Sequence, residues 1–275
     1  MKIFIQSNKY QYLAAKVAKY SFLRFGFKEV DILHIDDFNC LKNNIGNKYL
    51  RNSKLIEYKD DLQSFTLLRF FAPKIMNYSG KCLIIDPDVF AVRNPTKLIE
   101  EFNNEANVMC TFYNNSPRTE VMLLDCSKIN WDYETIINKL FQGQIDYKNL
   151  MNLSFDENLK IKEISKIYNS HDKILPDTIL LHTTNRITQP WKTFLEVDFE
   201  RHVSFNSIFI NKLKKFFGLK YQKDLINSSY YMHPDLNVIK FVKEIFKEAS
   251  NKQFLSSREI EDSLKNNYIS SFIIK

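Results

Sequence analysis

Glycine is scarce, five in 275 residues, and none of the five follows the first apolar run. The turn there reads QSNKYQY, residues 6–12. It lacks the glycine-rich loop that lets a backbone wrap phosphate at a helix start, which argues against a nucleotidyltransferase. The four cysteines, Cys40, Cys82, Cys110 and Cys126, form no C-x-x-C and lie in or beside apolar runs. Buried reduced thiols are expected from them, rather than disulfides or zinc. No apolar run approaches the roughly 20 residues of a membrane span. The opening MKIFIQSNKY breaks off at Gln6, too early for a secretory leader, so a cytoplasmic protein is expected. Positive charge is also missing from most of the chain. Of the net +7, +5 falls in residues 211–275 (12 Lys+Arg against 7 Asp+Glu). The first 210 residues are nearly balanced, which disfavours a nucleic-acid-binding face.

What is present is ordinary globular material, 44% hydrophobic and 26% charged, with enough length to bury a large core. KIFIQS reads as a buried strand. YQYLAAKVAKYSFLRFG repeats Leu13, Val17, Tyr20 and Leu23 at helical spacing and stops at Gly26, and VDILHID reads as a second strand. This β-α-β opening predicts a parallel sheet with helices against it. Residues 39–60 read as irregular. LQSFTLLRFFAPKIMNY predicts a helix bent or restarted at Pro73. Strands are predicted in KCLIID, NVMCTFY, EVMLLD and DTILLHTT, and helices in TKLIEEF and YETIINKLF. From about residue 206 the composition turns basic and aromatic, with DLNVIKFVKEIFKEAS as an amphipathic helix. The expected organisation is an α/β unit over 1–205 and a mostly helical extension over 206–275.

Ligands of α/β sheets collect at the carboxyl ends of the strands. The first strand delivers Gln6 and Ser7, KCLIIDPDVF delivers Asp86 and Asp88, EVMLLD delivers Asp125, and DTILLHTT delivers His182. Residues two apart in an extended segment share a side, so Asp86 and Asp88 can address one cation or, alternatively, cap their own turn. With His182 they make a donor set suited to Mn²⁺ or Mg²⁺, although His182 alone also fits a core histidine. Arg69 shares the apolar face of its helix with Phe65 and Ala72, where a guanidinium wants an anionic partner or reaches out to water. Trp191 fits stacking on a ligand or plain packing. Asn169, His171 and Asp172 form a polar loop, suited to an acceptor or simply to a turn. The run KLKKFFGLKY (212–221) suits either an anionic membrane surface or a solvated helix whose aromatics pack on the domain.

The order LLRFFAP, CLIIDPDVF, EVMLLD, IYN and a late His with Pro-Trp resembles retaining glycosyltransferases of the GT-A fold, family 8 and its bacterial relatives, over about residues 1–195. The resemblance implies a GT-A-like mixed, mostly parallel sheet flanked by helices. It implies Asp86, Asp88 and His182 on Mn²⁺ (or Mg²⁺) and the diphosphate of a nucleotide-sugar. Gln6, Ser7, Tyr10 and Arg69 would serve the donor, with Glu120 and, less directly, Asp125 as catalytic candidates. Asn169, His171, Asp172 and Trp191 would face the acceptor. Family members carry His-x-x-Gly and Lys-Pro-Trp, where this chain has Asn185 and Gln189 and a longer spacer, so Arg186 or Lys192 is expected on the phosphates. Tyr147 and Lys148 stand where many members have Asp-Gln. The implied activity is hexosyl transfer from a UDP-sugar in polysaccharide biosynthesis, to a glycan or lipid-linked acceptor at the inner membrane face. The alternative is a non-catalytic nucleotide-sugar or glycan-binding protein of the same fold.

Overall fold

A computed structural model describes residues 1–44, 47–51, 54–58, 62–102, 105–198, 205–219 and 229–275. The chain opens with β1 (Lys2–Ser7), α1 (Tyr12–Leu23) and β2 (Val30–His34). Gly26 ends the first helical turn region at φ +86°, a conformation that costs glycine nothing. The stretch expected to be irregular instead holds α2 (Asn39–Lys42) and a hairpin, β3 (Lys48–Arg51) with β4 (Lys54–Glu57). These strands are four residues each and half charged. They are fixed by one buried ring, Tyr49, whose centroid lies 5.7 Å from Phe141 and 6.1 Å from Tyr147.

The predicted helix before the first acid is 3₁₀ over Ser64–Phe71 and becomes α only at α3 (Ala72–Ile75). Pro73 sits in the first turn of α3, where a missing N–H leaves no gap in the ladder, and its ring blocks an α-helical approach from the preceding carbonyls. Then follow β5 (Lys81–Ile85), β6 (Val89–Ala91), α4 (Thr96–Glu100), β7 (Val108–Tyr113), β8 (Ser116–Asp125), α5 (Tyr133–Phe141), α6 (Tyr147–Met151), β9 (Ile161–Glu163), β10 (Ser170–His171) and β11 (Leu180–His182).

The fold is mixed α/β. Its central sheet has the order β2-β1-β5-β8-β7-β9 and is mostly parallel: β1–β2, β1–β5 and β7–β9 pair parallel, β5–β8 and β7–β8 antiparallel. A second, three-stranded sheet has the order β10-β11-β6. Strict alternation explains the near-continuous apolar strands. Ile3, Ile5, Leu83, Ile85, Val121 and Leu123 face one core with α1, while Phe4, Cys82, Ile84, Met122 and Leu124 face another with α5 and α6. All four thiols are free. Among the described residues no helix is long and apolar enough to cross a membrane.

The tail contributes α7 (Phe205–Phe216), α8 (Leu236–Asn251) and α9 (Ser257–Lys265). Caps at Asp235 and Ser256 start the last two, the second with a reciprocal Glu259 bond. From α8 onward the tail belongs to the first core: Val238, Val242, Ile245, Phe246 and Ala249 pack into the same cluster as α1. Tyr20 Oη donates to Glu248 Oε1 at 2.9 Å across that contact. Ile245→Ala should therefore destabilise the whole protein by about 2–5 kcal/mol, read as a lower urea midpoint in a single unfolding transition that includes the sheet.

Candidate functional site

β5 ends at Ile85 and the Asp86-Pro87-Asp88 turn carries the chain into β6, with Val89 N–H donating to Asp86 O at 3.2 Å. β6 pairs antiparallel with β11 in a register that sets His182 opposite Val89. That register places an imidazole beside the residue before Val89: His182 Nε2 lies 3.4 Å from Asp88 Oδ1. Thr183 N–H donates to Asp88 O at 3.1 Å and tightens the same junction. On the other side of the ring, His182 Nδ1 meets Asn169 Oδ1 at 2.9 Å. An amide oxygen can only accept, so Nδ1 carries the proton in the neutral ring and Nε2 keeps its lone pair toward the acids.

Asp86 is held from three elements. Arg69 Nη2 donates to both carboxylate oxygens, the longer contact 2.7 Å, and Gln6 Nε2 donates to Oδ1 at 3.0 Å. Arg69 Nη1 reaches Thr119 Oγ1 at 2.6 Å, and Asp86 N–H reaches Glu120 O at 3.0 Å, which ties the turn to β8. One donor atom each from Asp86, Asp88 and His182 lies within 4.8 Å of the others. They line a cavity of about 140 Å³ with Gln11, Arg118, Glu120, Arg186 and Gln189. Gln11 Oε1, Glu120 Oε2 and Gln189 Oε1 are buried there without a hydrogen-bond partner. Three orphaned acceptors beside two carboxylates and an imidazole form a donor set that fits a hard divalent cation and ligand hydroxyls.

Charges in the site are strongly coupled. Burial pushes the Asp86 carboxyl up to about 6, opposed by Arg69 and reinforced by Asp88. Burial also disfavours a charged His182, but Asp88 outweighs it and raises the imidazole to about 9. For Glu120, burial is overcome by His182, Arg69 and Arg118, which hold the carboxyl below its usual range. Arg118 Nη2 lies 2.6 Å from Glu120 Oε1.

Other residues singled out from sequence fall elsewhere. Asp125 is at the opposite end of the sheet, because β8 runs antiparallel to β5 and pairs Asp125 with Lys81. Its carboxylate accepts from Ser127 Oγ at 2.5 Å and lies 3.2 Å from Lys128 Nζ. The premise that every strand delivers its last residue to one edge fails for a hairpin strand. Lys192 is 1% exposed and ion-paired with Asp198, so it does not face the cavity. Trp191 is also buried, edge-on to Phe90 at 5.9 Å, and packs in the core rather than offering a stacking face. Ser7 is buried and bonds to Asn8 O. Tyr10 packs on Tyr268 at 5.6 Å and lines a neighbouring cavity of about 200 Å³ with Asn8, Tyr58 and Ser64. Asn169 orients His182, His171 is exposed with its ring 5.4 Å from that of His182, and Asp172 anchors the segment after β11. Sequence reading missed Gln11 and Arg118. The spacing of Arg118 from Glu120, two residues along one strand, is the signal that places both on one side.

In metal-free protein His182 should titrate near 9, and Asp88→Asn should lower that value, because Asp88 is the main group that opposes burial and only Glu120 and Asp86 are left to do so. NMR of the ring protons measures this directly. Since the folded value lies above the unfolded one, the pair stabilises the metal-free fold fully below about pH 6.5 and ceases to do so as pH rises through 9. Arg69→Ala, which leaves Asp86 buried and unpaired, should cost about 3–5 kcal/mol in denaturant unfolding.

No family model matches the sequence, and no curated protein matches it. Among solved structures, the chain is similar to the galactosyltransferase LgtC in complex with donor and acceptor sugar analogues. Identity is 11%, over 70% of this chain and 89% of that one, with a TM-score of 0.46. It is similar to the apo form of the glycosyltransferase GlyE of Streptococcus pneumoniae TIGR4 at 16% identity, over 80% and 64% of the two chains, TM-score 0.46. It is also similar to apo mouse xyloside xylosyltransferase 1 at 12% identity, over 67% and 97%, TM-score 0.43.

Proposed function

We propose that the protein is a metal-dependent glycosyltransferase that moves a hexose from a UDP-linked donor to a glycan or lipid-linked acceptor, with retention of anomeric configuration. The observation that carries this reading is the single cavity that gathers Asp86, Asp88, His182, two arginines and three orphaned acceptor oxygens. Asp86, Asp88 and His182 would hold Mn²⁺ (or Mg²⁺), which when bound supplies positive charge to a leaving diphosphate. Of the two residues expected on the phosphates, Arg186 takes that role, since it lines the cavity with Arg118 while Lys192 is buried against Asp198. The nucleoside fits the adjoining cavity of Asn8, Tyr10, Tyr58 and Ser64. Gln6 and Arg69, both buried, act by fixing Asp86 and not by touching the donor.

Glu120 lines the same cavity and would face the donor sugar. Held ionised by its cationic neighbours, it can accept from a sugar hydroxyl or stabilise positive charge growing at the anomeric carbon. Retention then follows from attack on the face the leaving group departs from, where the acceptor hydroxyl gives its proton to the diphosphate and no strong protein base is needed.

α7 supports a peripheral contact with an anionic membrane. Phe209, Leu213, Phe216 and Phe217 are exposed, Phe216 by 83%, with Lys212, Lys214 and Lys215 among them. Residues 201–223 contain no acid. Lys220 and Tyr221 of the same run lie outside the described residues. An apolar stripe flanked by lysines suits a negatively charged interface.

Release of UDP from a panel of UDP-sugars, with and without Mn²⁺, tests the activity. One sugar should turn over only with metal, and Asp88→Ala should lower the rate by about 100-fold or more. No turnover and no metal-dependent nucleotide binding would leave a glycan-binding protein of this fold. Sedimentation with vesicles should show retention on phosphatidylglycerol-rich membranes but not on phosphatidylcholine. Phe216→Ser with Phe217→Ser should abolish that retention while donor hydrolysis in solution persists.

A further inference from the structure

The tail reaches the back of the site without entering the cavity. Tyr230 N–H donates to Leu195 O, Phe194 N–H to Tyr230 O and Tyr231 N–H to Ile187 O, at 2.8, 3.0 and 2.8 Å. This backbone stitching lays residues 229–231 along the segment after β11 and delivers His233, whose side chain is 0% exposed. His233 Nδ1 lies 3.1 Å from the Asp235 backbone N and 3.2 Å from Asp235 O; with the proton on Nε2 the ring accepts the Asp235 N–H and turns a donor toward Asp172. Nε2 faces Asp172 Oδ1 at 3.5 Å, at the long limit of a hydrogen bond, and has no closer partner.

Asp172 is the anchor of the segment that leaves β11. Its Oδ2 accepts from Thr184 Oγ1, its Oδ1 accepts Asn185 N–H at 3.3 Å, and its own N–H donates to His182 O at 2.9 Å. It does this at φ +54°, a left-handed conformation that an aspartate adopts at some cost and only where its surroundings hold it. Burial would raise its carboxyl, but the contacts with His233, Thr184 and Asn185 keep it below the usual range. His182 and Thr184 both line the cavity.

We infer that His233 is a positioning residue: it braces Asp172 from behind, Asp172 locks Thr183–Asn185, and that segment sets how His182 is presented. A leucine would fill the same space without burying an N–H that needs an acceptor. It would serve neither the Asp235 backbone at Nδ1 nor the Asp172 carboxylate that Nε2 faces. The functional consequence rests on the proposed cation role of His182, whereas the bracing itself does not.

Amide hydrogen exchange separates the two. In His233→Leu, exchange at Thr183, Thr184 and Asn185 should quicken by about five- to tenfold, the equivalent of one lost hydrogen bond. Amides of β1 and β5 should be unchanged. His233→Gln, which keeps an N–H donor, should restore slow exchange. Mn²⁺ affinity should weaken in His233→Leu and recover in His233→Gln. Should His233→Leu fail to fold, Asp172→Asn carries the same local test. Unchanged exchange at 183–185, or equal acceleration in β1 and β5, would overturn the inference. If the wild-type protein binds no Mn²⁺, the cation reading falls while the exchange result still decides the bracing.

Discussion

Burying the Asp86 carboxylate is the constraint from which the rest of the site follows. A charge that deep is tolerated only with partners on most of its lone pairs. The carboxylate is held by Gln6 from β1 and Arg69 from the 3₁₀ segment, and the Asp86 backbone N–H donates to Glu120 O on β8. Arg69 itself needs Thr119, two residues before Val121, the residue paired with Ile85. Holding Asp86 thus fixes the relative positions of β1, β5 and β8. Asp88, not so encumbered, is left to face His182 and the cavity.

Much of this was legible in the chain because burial writes a strong pattern. KCLIID is apolar on both faces, so it reads as a central strand, and the two acids at its end read as a cation pair or as caps of their own turn. The β-α-β opening, α5 and α8 were visible for the same reason of periodicity. The direction of β8 was the feature not drawn from sequence. It depends on the Asn114-Asn115 turn, where both residues take positive φ, the geometry of a tight hairpin. Missing that reversal put Asp125 on the wrong edge. Lys192 and Trp191 misled differently: QPWK is polar and aromatic in composition, and only the tertiary partner Asp198 and the core ring Phe90 show that both are inside.

The tail illustrates how composition and packing can diverge. Its charge and aromatics set it apart as a sequence, yet α8 completes the core under α1, and Ser270 N–H donates to Trp191 O at 2.6 Å. The segment before α8 is also the one that brings His233 behind the loop of His182. α7 keeps the character that the composition suggests, with Phe209, Leu213 and Phe216 exposed. Core, site support and surface are three different roles within seventy residues of chain.

The central claim is that Asp86, Asp88 and His182 form one cation site that faces a diphosphate. Anomalous diffraction at the manganese edge, from crystals grown with Mn²⁺ and UDP, tests it most directly. The account predicts one strong peak at about 2.0–2.3 Å from a carboxylate oxygen of each aspartate and from His182 Nε2. The diphosphate should lie on the Arg118 and Arg186 side. UDP bound with no peak between these three residues, or a peak held by other side chains, would contradict it.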